Sequence, residues 1–337
     1  VNVIILGGGI AGLLAAYVFR RFKPLVLEGS PKLGGNYTAG GLKYIRQTSA
    51  MERLLADLGM TWKEYKPIGL LYVGGMWEEH PGWLKSLNSN QRETIQCAHW
   101  RRTRFTDDGF RADCMNDPTG NGGHPALRCD HGELIYKLGE HAMGANRALV
   151  RLNVRIEQIT AGTVRVDGVH VPYDLLIPTI PLAALSRLAP WARLPSLHAW
   201  QLNIADFIAE ERAPSWDYMY TPLEQKITRI TWAGSGLFQI EVPGETALDS
   251  DADRAHVVEE AQRALSPFAS MLRLHATRKI PGHLEPPRVP IQWPDNWCPL
   301  GRFTQWEPRA TAERVLHDAL VAHGKLANDD HSQIEAR

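Results

Sequence analysis

No stretch of the 337-residue sequence approaches the roughly 20 apolar residues that a helix needs to cross a bilayer, so no membrane partner is expected. Net charge is missing too: 37 Lys and Arg balance 37 Asp and Glu. That excludes a chain drawn as a whole to nucleic acid or to an anionic lipid surface. Cysteine is scarce. Cys97, Cys114, Cys129 and Cys298 fit a reducing compartment as free thiols. The apolar start, Val1 to Leu6, is too short and too glycine-interrupted for a signal peptide, and a cytoplasmic location is the expectation. Three of the thiols share a region with histidines: Cys97 with His99, then Cys114, His124, and Cys129 with His131. Zinc accepts these ligands, but the paired spacing of common zinc modules is absent and no metal site is assigned. There is no catalytic triad and no internal repeat.

What is present begins at once. Residues 1–6 are a short β-branched apolar run that suits a buried parallel strand. Gly7-Gly8-Gly9 breaks it, and Ile10 to Phe22 reads as a helix ended by Pro24. Leu25-Val-Leu27 starts a second strand that stops at Glu28, which completes a βαβ unit in under 30 residues. Gly7, Gly9 and Gly12, with Ile10 and Ala11 between them, match G-x-G-x-x-G. Glycine there permits a tight turn, close approach of a pyrophosphate and close helix-to-strand contact, and the helix start offers N–H groups to the anion. Glu28 is placed to accept hydrogen bonds from ribose hydroxyls and to repel a 2′-phosphate. The alternative is a glycine turn in an ordinary βαβ unit.

Further along, Met51 to Leu58 is an amphipathic helix ended by Gly59. Residues 77–130 are rich in Trp, Arg, Asn and Gly, and read as irregular structure or a cap. Gly132 to Met143 reads as a helix, Leu149 to Val154 as a strand, and short strands follow through Val171. Ile227–Trp232 and Leu237–Val242 are strand-like, Asp251–Leu265 is a helix with an acidic start, and a last helix spans about Ala310 to His323. The polar tail beyond it is expected to be disordered.

Residues 28–41 run Glu-Gly-Ser-Pro-Lys-Leu-Gly-Gly-Asn-Tyr-Thr-Ala-Gly-Gly. This resembles the extended FAD motif of the flavin amine oxidase, protoporphyrinogen oxidase and UDP-galactopyranose mutase superfamily. The resemblance implies that Gly34 and Gly35 let backbone pass close to the FAD diphosphate, and that Lys32, with Glu28 and Gly29, lies at the adenosine end. Asn36 stands where that family often has arginine. Val150-Arg-Leu-Asn-Val154 is similar to the family's return segment, which makes Val154 the residue whose backbone meets adenine. Tyr173-Asp-Leu-Leu-Ile-Pro-Thr-Ile-Pro-Leu182 is similar to its strand and turn beneath the cofactor, with Thr179 in the turn. Gly301-Arg302, followed by Trp306, resembles its late segment, which presents N–H groups and an arginine fork to the diphosphate.

The resemblance implies an α/β chain: a glutathione-reductase-like FAD-binding Rossmann domain from residues 1–65, 130–185 and 290–325. A smaller α+β substrate domain would come from 66–129 and 186–289, with 326–337 as tail. It also implies an FAD-dependent oxidoreductase that oxidises a C–N bond with oxygen as acceptor. A redox-neutral mutase-like enzyme, a dehydrogenase with another acceptor, and a non-catalytic flavin or nucleic-acid-binding module stay open. Arg229 matches a basic residue that the mutase-like branch places at the flavin, and Lys226 and Lys279 are candidates for the lysine that holds a water there. Arg229 and Lys226 read equally well as the solvated face of an alternating strand. Gly40 to Arg46 replaces the mutases' histidine-bearing segment, with Tyr44 as a pocket-lining candidate. Trp100-Arg101-Arg102-Thr-Arg104-Phe105 interleaves arginine with aromatics. That pattern suits a nucleotide-linked amine or nucleic acid, and a solvated basic turn is its bland alternative.

Overall fold

The structure is a computed structural model. It describes residues 1–35, 37, 45–65, 68–73, 76–80, 89–90, 94, 126–144, 148–195, 197, 201–209, 214–221, 224, 226–234, 236–243, 248, 250–266, 268, 271–281, 290–305 and 311–335. The chain opens with β1 (Val3–Leu6), α1 (Ile10–Val18) and β2 (Leu25–Leu27). Next come β3 (Ile45–Arg46), α2 (Ser49–Asp57), β4 (Lys63–Tyr65), β5 (Gly69–Val73) and β6 (Met76–His80). After β7 (Ala126–Arg128) and α3 (His131–Met143) follow β8 (Leu149–Arg151), β9 (Ile156–Ile159), β10 (Thr163–Val166), β11 (Val169–Pro172), β12 (Leu175–Pro178) and α4 (Leu182–Leu188). The remainder is β13 (Gln201–Ile208), β14 (Tyr218–Tyr220), β15 (Arg229–Gly234), β16 (Leu237–Pro243), α5 (Asp251–Leu265), β17 (Arg273–Pro281), α6 (Arg302–Gln305) and α7 (Ala312–Glu335).

Strands β12, β1, β2 and β8 form, in that order, a parallel sheet. Parallel sheets need both faces covered, and every residue of β1 is buried. Successive side chains point to opposite faces. Val3, Ile5, Val26 and Ile177 pack with α1, α3 and α7, while Ile4, Leu6, Leu27 and Leu176 pack with the β9–β11 meander and α4. Helix α1 lies so deep that every residue after Ile10 is buried. This is the α/β class with a Rossmann-type opening that the sequence predicts.

The second large sheet runs β17-β13-β16-β15-β14-β5-β6 and is antiparallel except where β14 meets β5. Its one face is closed by α5, whose Val257, Ala261 and Leu265 pack against Phe207, Ile230 and Ile240. Helix starts are set by side-chain caps: Thr48 for α2, Asp130 for α3 and Ser250 for α5 each accept an N–H from the first turn. A third, three-stranded sheet joins β3, β7 and β4.

Several expected boundaries move, each for a visible reason. Helix α7 continues to Glu335, beyond the His323 at which the sequence reading ends it; after Gly324 the sequence holds no glycine or proline to stop it. Strand β8 stops at Arg151 rather than Val154, since Asn153 takes a left-handed φ of 56°. Strand β15 starts at Arg229 rather than Ile227, because the N–H groups of Lys226 and Ile227 go to the Glu260 carboxylate at 2.7 and 3.1 Å. Residues 77–80 and 126–128, expected to be irregular, lie in strands. Most of 81–125 lies outside the described residues. No helix among the described residues is long and apolar enough to cross a membrane.

Candidate nucleotide site and the polar face of the second sheet

The glycine loop is shaped by contacts that a side chain would destroy. A Cβ on Gly12 would sit 1.9 Å from the Gly7 carbonyl oxygen, and one on Gly7, whose φ is +101°, 2.7 Å from Thr179 Oγ1. Thr179 is held there by donating its hydroxyl to the Leu6 carbonyl at 2.7 Å. Gly9 differs. It caps α1 with φ −71°, and a Cβ there would meet nothing within 4 Å. Among the described residues no side chain caps α1 and no acid occupies its first turn. Its N–H groups and positive dipole end therefore face open space, which is the arrangement that holds a phosphate.

Around that space the chain places the other predicted residues. Glu28, at the end of β2, accepts the Gly8 N–H at 2.6 Å and the Ser30 N–H at 2.7 Å. Both carboxylate oxygens are thus oriented and keep further lone pairs for hydroxyl donors. Gly34 donates its N–H to the Gly8 carbonyl at 2.8 Å, and its φ of +104° and crowding against Ile135 demand glycine. A Cβ on Gly35 would approach Gly9 Cα at 3.4 Å. From the other side, residues 296–300 run beside β12, with Leu176 N–H to Asn296, Cys298 N–H to Leu176 and Leu300 N–H to Pro178. They deliver Gly301, at φ +93°, against Ala11, so close that a Cβ would stand 2.9 Å from Ala11 Cβ. Arg302 follows, its guanidinium 5.7 Å from the Phe303 ring centre.

So Gly7, Gly9, Ile10, Ala11, Gly12, Glu28, Gly34, Gly35, Thr179 and Gly301 converge on one helix start, with Arg302 next in the chain after Gly301. Gly29 lies beside Val154, and Lys32 is exposed. Val154 is buried with its N–H already donated to the Glu28 carbonyl at 3.1 Å, which leaves its own carbonyl for a ligand. Asn36, Tyr44, Trp306, Arg101, Arg102, Arg104, Cys97 and Cys114 lie outside the described residues. Cys129 is described; burial, then Asp130 and Glu133, push its thiol up to about 11, so it is protonated at neutral pH.

The second sheet carries a polar face that the sequence does not announce. Directly opposed residues of neighbouring strands share a face, and the register gives two rows. One is Tyr218, Thr231, Gln239 and Asp206; the other is Tyr220, Arg229, Glu241 and Ile204. Arg229 is ion-paired to the buried Glu241 carboxylate, and Arg278 to Asp206. Burial disfavours the Arg229 charge, but Glu241 and the Tyr220 hydroxyl outweigh it and hold the guanidinium above its usual range. The tyrosine ring of Tyr218 lies over Gly69, where a Cβ would come within 2.5 Å of it.

The three catalytic candidates that the structure describes are not brought together. Lys279 is opposite Asn203, in a row that shares its face with Val242, on the α5 side of the sheet. Lys226 reaches Asp253 of α5 at 3.6 Å. Only Arg229 of the three lies on the polar face. Glu241, Gln239, Thr231 and Asp206 were missed, although Arg229-Ile-Thr and Gln239-Ile-Glu show the alternation that puts them on one side.

Residues 5–62 match the family of NAD(P)-binding Rossmann-like domains. Comparison with curated proteins gives no sequence match. Solved structures do share the fold over nearly the whole chain. A reduced UDP-galactopyranose mutase matches with TM-score 0.68 and 13% identity, over 97% of this chain and 94% of its own. A putrescine oxidase bound to putrescine gives 0.58 and 14%, over 97% and 99%. Glycine oxidase from Geobacillus kaustophilus gives 0.58 and 12%, over 95% and 93%. The chain thus shares the fold of these oxidases and the mutase, with a Rossmann-like domain at its start.

Proposed function

We propose that this chain is an FAD-dependent oxidoreductase of the amine oxidase type. The observation that carries it is the open space before α1, ringed by the Gly7–Gly12 loop, the Glu28 carboxylate, the Gly34-Gly35 turn and Gly301-Arg302. A single Rossmann unit needs only the first two of these to hold a dinucleotide. The later segments add backbone and an arginine around the same anion, and their chain order matches the superfamily the sequence resembles. The α1 N–H groups and Arg302 would hold the diphosphate, and Glu28 would take the ribose hydroxyls. When bound, FAD supplies a two-electron acceptor. The protein's share is to exclude water and to hold a neutral amine in place.

The substrate class this reading favours carries an oxidisable C–N bond, and oxygen would serve as the electron acceptor. The arginine–aromatic run Trp100 to Phe105 favours an amine carried on a nucleotide or nucleic acid. The deciding experiment follows the visible flavin band of purified protein, chemically reduced and then mixed with aerated buffer. Fast recovery with peroxide release supports the oxidase. Slow recovery would favour the redox-neutral mutase-like reading or a dehydrogenase, and no flavin band after adding FAD would sink the proposal.

A further inference from the structure

The two described ion pairs that flank the centre of the polar face are matched, yet hydrogen-bonding capacity is left over there. Glu241 answers Arg229, and Arg278 answers Asp206. Between these pairs, three buried atoms have no hydrogen-bond partner: the Oγ1 of Thr231, the Oε1 of Gln239 and the Nε of Arg229. Thr231 is 2% exposed and Gln239 4%. They are cross-strand neighbours in register, and Arg229 lies two residues from Thr231 on the same strand and face. Buried polar groups of folded proteins nearly always have a partner. Three orphans within one patch, on the side of the sheet that α5 leaves alone, therefore require an explanation.

What would satisfy them is specific. Gln239 Oε1 accepts, Arg229 Nε–H donates, and the Thr231 hydroxyl does either. A free ammonium would find the nearby carboxylates already paired, and a carboxylate or phosphate would find both guanidiniums paired. We infer that this patch of Arg229, Thr231 and Gln239 binds an uncharged ligand through an edge carrying adjacent N–H and C=O groups, as a cyclic amide or imide presents. This deepens the function proposed above and rests on it for the chemistry, but not for the binding itself. It also fits that chemistry, since an amine must be neutral to be oxidised. The amide edge would anchor the molecule while the C–N bond lies elsewhere on it.

The test uses uracil as the neutral probe, 1,4-diaminobutane as the cation and benzoate as the anion. Binding is measured by titration calorimetry on the full chain, both flavin-free and loaded with FAD. Uracil should bind at least tenfold more tightly than either charged probe. Thr231→Val and Gln239→Met should each weaken uracil at least tenfold while leaving the melting temperature of the ligand-free protein unchanged or higher, because each removes an unpaired polar atom. Thr231→Ser keeps the hydroxyl and should keep most of the affinity. If either charged probe binds as well as uracil, if uracil does not bind, or if both variants bind it like the wild type, the inference is overturned. A melting temperature lowered in both Thr231→Val and Gln239→Met would also overturn it, since the groups would then serve the fold. FAD uptake, read separately from the visible band, reports on the flavin assignment, so the two can fail independently.

Discussion

In the four-stranded parallel sheet every residue of β1 is apolar and both faces are packed, and its ligand space is bounded largely by backbone. In the seven-stranded sheet one face is mostly apolar, under α5, but the other carries two ion pairs and three orphaned polar atoms. The first arrangement recognises through glycine geometry and a helix dipole, which any nucleotide diphosphate satisfies. The second, on the reading proposed above, would recognise through side chains whose identities choose a substrate. A general cofactor site and a particular substrate site thus differ in which part of the chain does the recognising. Each can be broken separately.

The largest effect is expected at Glu241. Glu241→Ala leaves the Arg229 guanidinium buried without its counter-charge, which costs about 3–5 kcal/mol. Thermal unfolding should show it, and the double change Glu241→Leu with Arg229→Met should recover most of the loss. A small loss in Glu241→Ala would mean that this face is an ordinary solvated surface, and the contrast between the sheets would collapse.

Next come two glycines three residues apart. Gly12→Ala forces a methyl into the Gly7 carbonyl and should destabilise the fold by about 3 kcal/mol. Gly9→Ala has an allowed φ and empty space, so the melting temperature should hold. FAD affinity should nevertheless fall at least tenfold, because the methyl occupies the space that the phosphate needs. Equal FAD affinity in Gly9→Ala and wild type would show that the nucleotide does not cross this helix start. Glu28→Gln should weaken FAD by about tenfold, the value of one charge-assisted hydrogen bond, and should also lower the melting temperature, because the amide can accept only one of the Gly8 and Ser30 N–H groups.

The two regions were not equally legible in the sequence. The nucleotide half could be read because its constraints are local: a turn, a helix start and an acid within 28 residues, each needing a residue type that few other roles need. Gly301 is different: nothing local marks it, and it is reached only through the resemblance of Gly301-Arg302 to the superfamily's late segment. The polar face could not be read. Glu241 is 12 residues from Arg229, and Asp206 is 72 from Arg278. Which of them meet depends on strand register, which no local pattern fixes. Lys279 illustrates the cost, since the parity of a single strand sends it to the side of α5. The length of α7 is hard to read for a different reason, because a polar composition resembles disorder even where no glycine or proline stops the helix.

The smallest effect concerns what holds the nucleotide half in place. His323 of α7 packs edge-on against Phe19 and Phe22, at 5.6 and 5.8 Å between ring centres. Burial, then Arg21 and Arg20, lower its pKa below the usual value near 6.5. A base whose folded pKa is depressed binds fewer protons folded than unfolded. Its contribution to stability is therefore present above about pH 6.5 and lost as pH falls through the folded value. Between pH 7.5 and 5, wild type should lose slightly more melting temperature than His323→Gln, which has no proton to take up at that position. Hydrogen exchange should place the difference at α1 and α7 and leave β13–β16 untouched. If the acid loss is the same in both proteins, or appears in the second sheet, then His323 does not tune the docking of α7, and the nucleotide half owes its acid response to other groups.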